Sequence, residues 1–95
     1  GWKARDAQDL FNLGALRGSG GDAKEALKYF EKAVELDPQH WAAYFNIALC
    51  QQQAGEKKKA QSAMEKCIKL LDAKSELYNW EKESLEQAKK FLESL

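Results

Sequence analysis

Ninety-five residues, 44% of them hydrophobic and 32% charged, describe one domain near the small end of what buries a core unaided. Lys plus Arg and Asp plus Glu each number 15, so no global charge draws the chain to nucleic acid, an anionic membrane or an acidic ligand. No apolar run approaches the roughly 18 to 20 residues of a membrane span, and no signal-peptide pattern opens the chain.

In chain order, a first helix is expected at about residues 5–17, broken by Gly18-Ser19-Gly20-Gly21. Asp22 can cap the second helix, about 22–36, by accepting from its first free N–H groups. There Ala26, Leu27, Phe30, Ala33 and Val34 recur at three and four residues, the spacing of a core-facing stripe. Asp37-Pro38 ends that stripe, because proline pushes its predecessor out of the α region and cannot donate the next backbone bond. A third helix follows at about 40–54, apolar almost all round between Trp41 and Cys50 apart from Asn46, so it must be covered on more than one side. Gly55-Glu56 marks a turn, and a fourth helix runs over about 57–71. The remainder, residues 75–95, is charged and helix-prone, with Leu77, Tyr78, Leu85, Ala88, Leu92 and Leu95 along one stripe.

Sliding the sequence against itself by 34 positions brings residue types into register from Leu10 onward. Leu10 meets Tyr44, Phe11 meets Phe45, Asn12 meets Asn46, Leu13 meets Ile47 and Gly14 meets Ala48. Gly21 then meets Gly55, Ala26 meets Ala60, Phe30 meets Met64, Ala33 meets Cys67, Val34 meets Ile68 and Leu36 meets Leu70. A further period sets Tyr78 opposite Tyr44, but Trp80, Glu81 and Lys82 replace the expected Asn, Leu and Gly, so a third full repeat is absent. The last segment reads as a capping helix, one face on the second hairpin and the other in water.

Over about residues 7–74 this pattern resembles the tetratricopeptide repeat. Leu10, Leu13, Gly14, Ala26, Phe30, Ala33 and Pro38 fall where that motif wants large, large, small, small, aromatic, small and proline. The second unit supplies Tyr44, Ile47, Ala48, Ala60, Met64 and Cys67, then Asp72 in place of proline. The resemblance implies an all-α, right-handed superhelix of antiparallel hairpins, an α-solenoid of about five helices in a single domain. Its units are repeat 1 at about 7–40, repeat 2 at about 41–74 and the cap at about 75–95.

In this family the first helix of each hairpin lines a concave groove that holds extended peptides or partner helices. The resemblance assigns that role to Phe11, Asn12 and Ala15, to Phe45, Asn46 and Leu49, and on the fifth helix to Asn79, Trp80 and Glu83. An Asn amide carries both donor and acceptor and can grip a peptide backbone whatever its sequence, while Phe and Trp supply apolar contact. A second reading stands beside this one: Trp80 covers the second hairpin, Phe45 belongs to the core, and the asparagines bond internal backbone or water. Family members that capture acidic chaperone tails hold the terminal carboxylate with Lys, Asn, Asn, Lys and Arg. The corresponding places here are Phe11, Ala15, Asn46, Glu76 and Trp80, where only Asn46 matches and Glu76 would repel an acidic tail.

No catalytic constellation stands in the chain. His40 is the single histidine and falls in the inter-repeat turn; glycines 18, 20 and 21 lack the Lys and Ser/Thr of a phosphate loop; Lys57-Lys58-Lys59 reads as a solvated face before a basic patch. Cys50 and Cys67, with no CxxC, read as small buried apolar residues in a reducing compartment. The expectation is therefore a non-enzymatic protein-binding adaptor or scaffold, with no cofactor or metal, in the cytoplasm. The alternative is an assembly piece that pairs with itself or with further repeats through residues 1–10 or the closing helix. The chain opens on Gly1 rather than Met, as a tag remnant or an excised segment would, in which case targeting signals are missing.

Overall fold

The computed structural model describes residues 6–95. Its helices are α1 (Ala7–Ser19), α2 (Ala23–Leu36), α3 (Trp41–Gln53), α4 (Lys57–Asp72) and α5 (Asn79–Ser94), and no strand occurs among the described residues. α1 packs with α2 and α3 with α4 as two hairpins; α2 against α3 joins them, and α5 closes the stack on α4. This is the all-α solenoid expected. The expected helix start at residue 5, and half of the 1–10 edge, lie outside the described residues.

The two hairpin turns are built alike, one period apart. Gly21 at φ 87° and Gly55 at φ 80° take the left-handed conformation that a side chain strains. Around each, the chain closes with the same pair of bonds: Asp22 N–H to the Arg17 carbonyl and Gly21 N–H to Gly18 (both 3.0 Å), then Glu56 N–H to Gln51 (2.8 Å) and Gly55 N–H to Gln52 (3.0 Å). The break after the first helix is thus at Gly21. Gly18 and Ser19, expected to end the helix, remain inside it, because the whole Gly18 to Gly21 run is not needed for the turn. Asp22 caps α2 as expected, its Oδ1 accepting from the Glu25 N–H at 3.1 Å. At the inter-repeat turn Asp37 is extended and its Oδ1 accepts from the Gln39 N–H at 3.0 Å.

The repeat register is also a packing register. Ala26, Ala33, Ala48, Ala60, Met64 and Cys67 are fully or almost fully buried, and Phe30 joins them. A Cβ on Gly14 would lie 2.7 Å from Cε1 of Phe30, so it is Gly14 against Phe30, and Gly18 against Ala26, that set the approach of α1 to α2. Gly14→Ala gains roughly 0.5–1 kcal/mol of helix propensity but forces a ring held in the core, at an overpacking cost of about 1–3 kcal/mol. The expected net is a loss of about 1 kcal/mol in urea unfolding. Gly18→Ala, whose Cβ would meet Ala26 at an ordinary 3.7 Å, is expected to be neutral or stabilising. Equal effects from the two would contradict this pairing.

α5 differs from its expectation in start and in face. It begins at Asn79 rather than 75, because Tyr78 is extended and the Glu81 carboxylate accepts from the Tyr78 N–H at 3.1 Å, which fixes the first turn there. Ala88 is buried and Leu77, Leu85, Phe91 and Leu92 pack on the core, but Tyr78, assigned to that stripe, stands exposed. Its place on the inward face goes to a charge, Glu81.

Candidate functional site

Among the described residues, the exposed aromatic surface gathers where the N-terminal parts of α1, α3 and α5 come together. The first two turns of α1 supply Gln8 and Phe11, the α2–α3 turn supplies Gln39 and His40, and the start of α3 supplies Trp41 and Ala42. Opposite them stand Lys74, Tyr78, Trp80 and Glu81, from the loop before α5 and its first turn. Together they line an open cleft of about 550 Å³.

Each ring is held by a local device. Trp41 is buried, 9% exposed, and its Nε1–H donates to Glu81 Oε2 at 3.2 Å. Trp80 lies against it with centroids 5.4 Å apart, and Tyr78 runs nearly parallel to Trp80, 6.4 Å away at 7°. Yet Tyr78 and Trp80 keep 71% and 58% of their surface in solvent. On the other wall Phe11 touches both Phe30 (5.6 Å between centroids) and His40 (4.9 Å). His40 caps α3: its Nδ1 accepts from the Ala43 N–H at 3.2 Å, while Nε2 faces Gln8 Oε1 at 3.2 Å.

Glu81 ties these pieces together. Its side chain is 2% exposed, yet three donors meet the carboxylate: the Lys74 ammonium, the Trp41 indole and the Tyr78 backbone. The Lys74 hydrogen bond, helped by the Tyr78 N–H, the Lys74 charge and the Trp41 N–H, holds this carboxyl below the usual range despite the burial that opposes it.

The residues assigned from the sequence are distributed as follows. Phe11 and Trp80 share the cleft. Asn12 and Ala15 are exposed on α1, Asn12 Oδ1 accepting from Gln8 Nε2 at 3.1 Å. Phe45, Asn46 and Leu49 are half-buried on α3; Phe45 packs on the main core, and the Asn46 amide meets no hydrogen-bond partner among the described residues. Asn79 and Glu83 are exposed on α5. Trp80 lies against Trp41 of the second hairpin but keeps most of its surface open. Trp41, Lys74, Tyr78 and Glu81 were missed as site residues. Trp41 and Trp80 are 39 positions apart, outside the 34-residue register. Glu81, however, falls one period after buried Ile47 and three residues after Tyr78, the spacing at which a Glu reaches back to a helix's first N–H. Both signals were present.

Neither thiol is poised for chemistry. Burial pushes the Cys67 thiol up to about 12 and raises that of Cys50, and both are free. Among the described residues no group of three His, Cys, Asp or Glu side chains is arranged to hold a metal.

The model of the family described as regulator of microtubule dynamics protein 1-3 matches residues 20–95. The chain belongs to this tetratricopeptide-type family. It is also similar to the photosystem I assembly protein Ycf3 of Rippkaea orientalis, with 33% identity over 69 residues, 73% of this chain and 40% of that protein. Among solved structures, PcrH in complex with the chaperone-binding region of PopD superposes with a TM-score of 0.83 at 26% identity, over 94% of this chain and 64% of PcrH. SycD of Yersinia enterocolitica, in complex with a peptide of the translocator YopD, gives 0.84 at 25%, over 94% of this chain and 65% of SycD. These tetratricopeptide-type relatives are chaperones and an assembly factor, and the chain spans less than two thirds of their length.

Proposed function

We propose that this domain is an adaptor that holds an extended or helical segment of another protein in the groove formed by α1, α3 and α5. The observation that carries the reading is the Tyr78–Trp80 pair, large aromatic surface held open in a cleft lined by α1, by the start of α3 with the turn before it, and by the start of α5 with the loop before it. Soluble domains rarely leave such a surface contiguous and unused. PcrH and SycD were solved with peptide segments of their translocators bound, which supports the same use here. From Phe11 and Trp80 in the cleft, the contact extends to Asn12 and Ala15 on α1, Phe45, Asn46 and Leu49 on α3, and Asn79 and Glu83 on α5, with Asn46 offering its amide to a peptide backbone. The reading involves no catalysis and no cofactor. Two unpaired cysteines suit a reducing compartment, and no described helix is long and apolar enough to cross a membrane, so we place the domain in the cytoplasm.

The test uses peptides selected by display on the intact chain, titrated by fluorescence polarisation. Trp80→Ala is expected to weaken the selected peptides about tenfold or more, as loss of an aromatic hot spot does. Unchanged affinity in a folded Trp80→Ala protein would falsify the groove assignment.

A second reading, self-association, is favoured by Leu16 and Leu36, which are exposed on α1 and α2 and do not line the cleft. Sedimentation over a hundredfold concentration range, on the order of micromolar to 0.1 millimolar, separates the two: a constant monomer mass rejects it.

A further inference from the structure

We infer that Glu81 sets the ligand class of the cleft: by cancelling Lys74 within it, this one carboxylate makes the site take an uncharged, apolar-anchored peptide segment rather than an acidic one. The inference rests on the peptide-binding reading and names the chemistry of its ligand.

Of the side chains that line the cleft, Lys74 and Glu81 alone carry full charges, and they are bonded to one another. The rest are aromatic (Phe11, Trp41, Tyr78, Trp80), amide (Gln8, Gln39), Ala42 and His40, whose Nδ1 carries no proton while it accepts from Ala43. Both oxygens of the Glu81 carboxylate are engaged, Oε2 by Lys74 and Trp41 and Oε1 by Tyr78, and the group lies beneath the surface, so it has little to offer a cationic ligand. Lys74 is the part a ligand can reach, its side chain 41% exposed, but its charge is already answered. A carboxylate entering the cleft would shed water and meet a neutralised ammonium beside the buried Glu81, a net cost. An apolar side chain would cover Tyr78 and Trp80 and gain their area.

The charge on Glu81 is therefore a specificity device as well as a helix cap. In Glu81→Gln the amide oxygen can still accept from Trp41, but Lys74 is left without its counter-charge at the edge of the aromatic wall. On its outer side Lys74 shares a depression with Asp72, Glu76 and Lys82, which draws off part of the released charge and keeps the expected gain moderate.

Random-peptide display on the intact chain, followed by titration of an enriched peptide and of the same peptide carrying Asp beside its apolar anchor, tests this. The native chain is expected to enrich windows with an apolar or aromatic anchor and no net charge, with Kd changing less than about twofold between roughly 0.05 and 0.5 M NaCl. Glu81→Gln is expected to bind the Asp peptide about fivefold tighter than the native chain does, a gain that salt removes and that Lys74→Gln/Glu81→Gln abolishes. Enrichment of acidic or basic peptides by the native chain, a tenfold salt dependence, or a folded Glu81→Gln protein with no gain overturns the inference while leaving peptide binding intact. If Glu81→Gln does not fold, the selection and salt dependence of the native chain decide alone. No enrichment at all removes the peptide-binding reading, and this inference with it.

Discussion

A chain ending at Ala73 is expected to lose its cooperative melt and to expose apolar surface to a dye such as ANS. The cut removes Leu77, Leu85, Ala88, Phe91 and Leu92 from the main core, which they share with Trp41, Met64, Cys67 and Leu71. With roughly 1.5–3 kcal/mol for each large side chain fully buried, four half-buried ones and an alanine add up to about 5 kcal/mol. That equals the lower end of what a domain of this size has in total, roughly 5–15 kcal/mol. Two hairpins without a cap also fall short of the three or so repeats that usually stand alone. A soluble fragment that melts in one sharp step would show that the fifth helix is an ornament to a fold complete without it.

The second large effect is expected at Trp41. Trp41→Ala removes the largest buried ring at the junction of α3 and α5 and takes with it one of three donors to a buried carboxylate. Loss of the ring costs about 3–5 kcal/mol, and the under-bonded Glu81 adds to it. Since 1 kcal/mol moves the midpoint of a domain this size by about 4–8 °C, a fall of some 12 °C or more is expected by circular dichroism. Trp41→Phe keeps most of the packing and loses only the N–H, so its loss is expected to be a fraction of this. Equal losses would place the whole effect in the indole hydrogen bond; a negligible loss in Trp41→Ala would mean that α5 docks without the junction.

The hairpins were legible in the sequence because their stability comes from a repeated pattern. Leu10 to Leu36 returns as Tyr44 to Leu70, and small residues at Ala26 and Ala60 come back as buried contacts. Turn chemistry was legible in kind but not in place: four consecutive candidates stood at the end of α1, and only the positive φ of Gly21 shows which one turns the chain. The closing helix was harder. Its stripe of Leu85, Ala88 and Leu92 is helical by spacing, yet its start depends on a side chain three residues in, Glu81, reaching back to Tyr78. By composition a glutamate in a charged segment reads as solvated; its register with Ile47 and its spacing from Tyr78 point inward, but Lys74 and Trp41 come from outside the helix. The same limit applies to the site. Phe11 and Trp80 were reached through the resemblance to the repeat family, whereas Trp41 and Tyr78 join the cleft through tertiary geometry that no fixed spacing encodes.

Isotope-edited NMR of the intact chain, titrated with a display-selected peptide, shows directly whether a peptide lies in the cleft between α1, α3 and α5. The largest shift changes are expected at the Trp80 and Trp41 indole N–H groups and around Phe11 and Tyr78, with peptide cross-peaks to those rings. Changes confined to the outer surfaces of α2 and α4, with the four rings undisturbed at saturation, would contradict binding in the cleft.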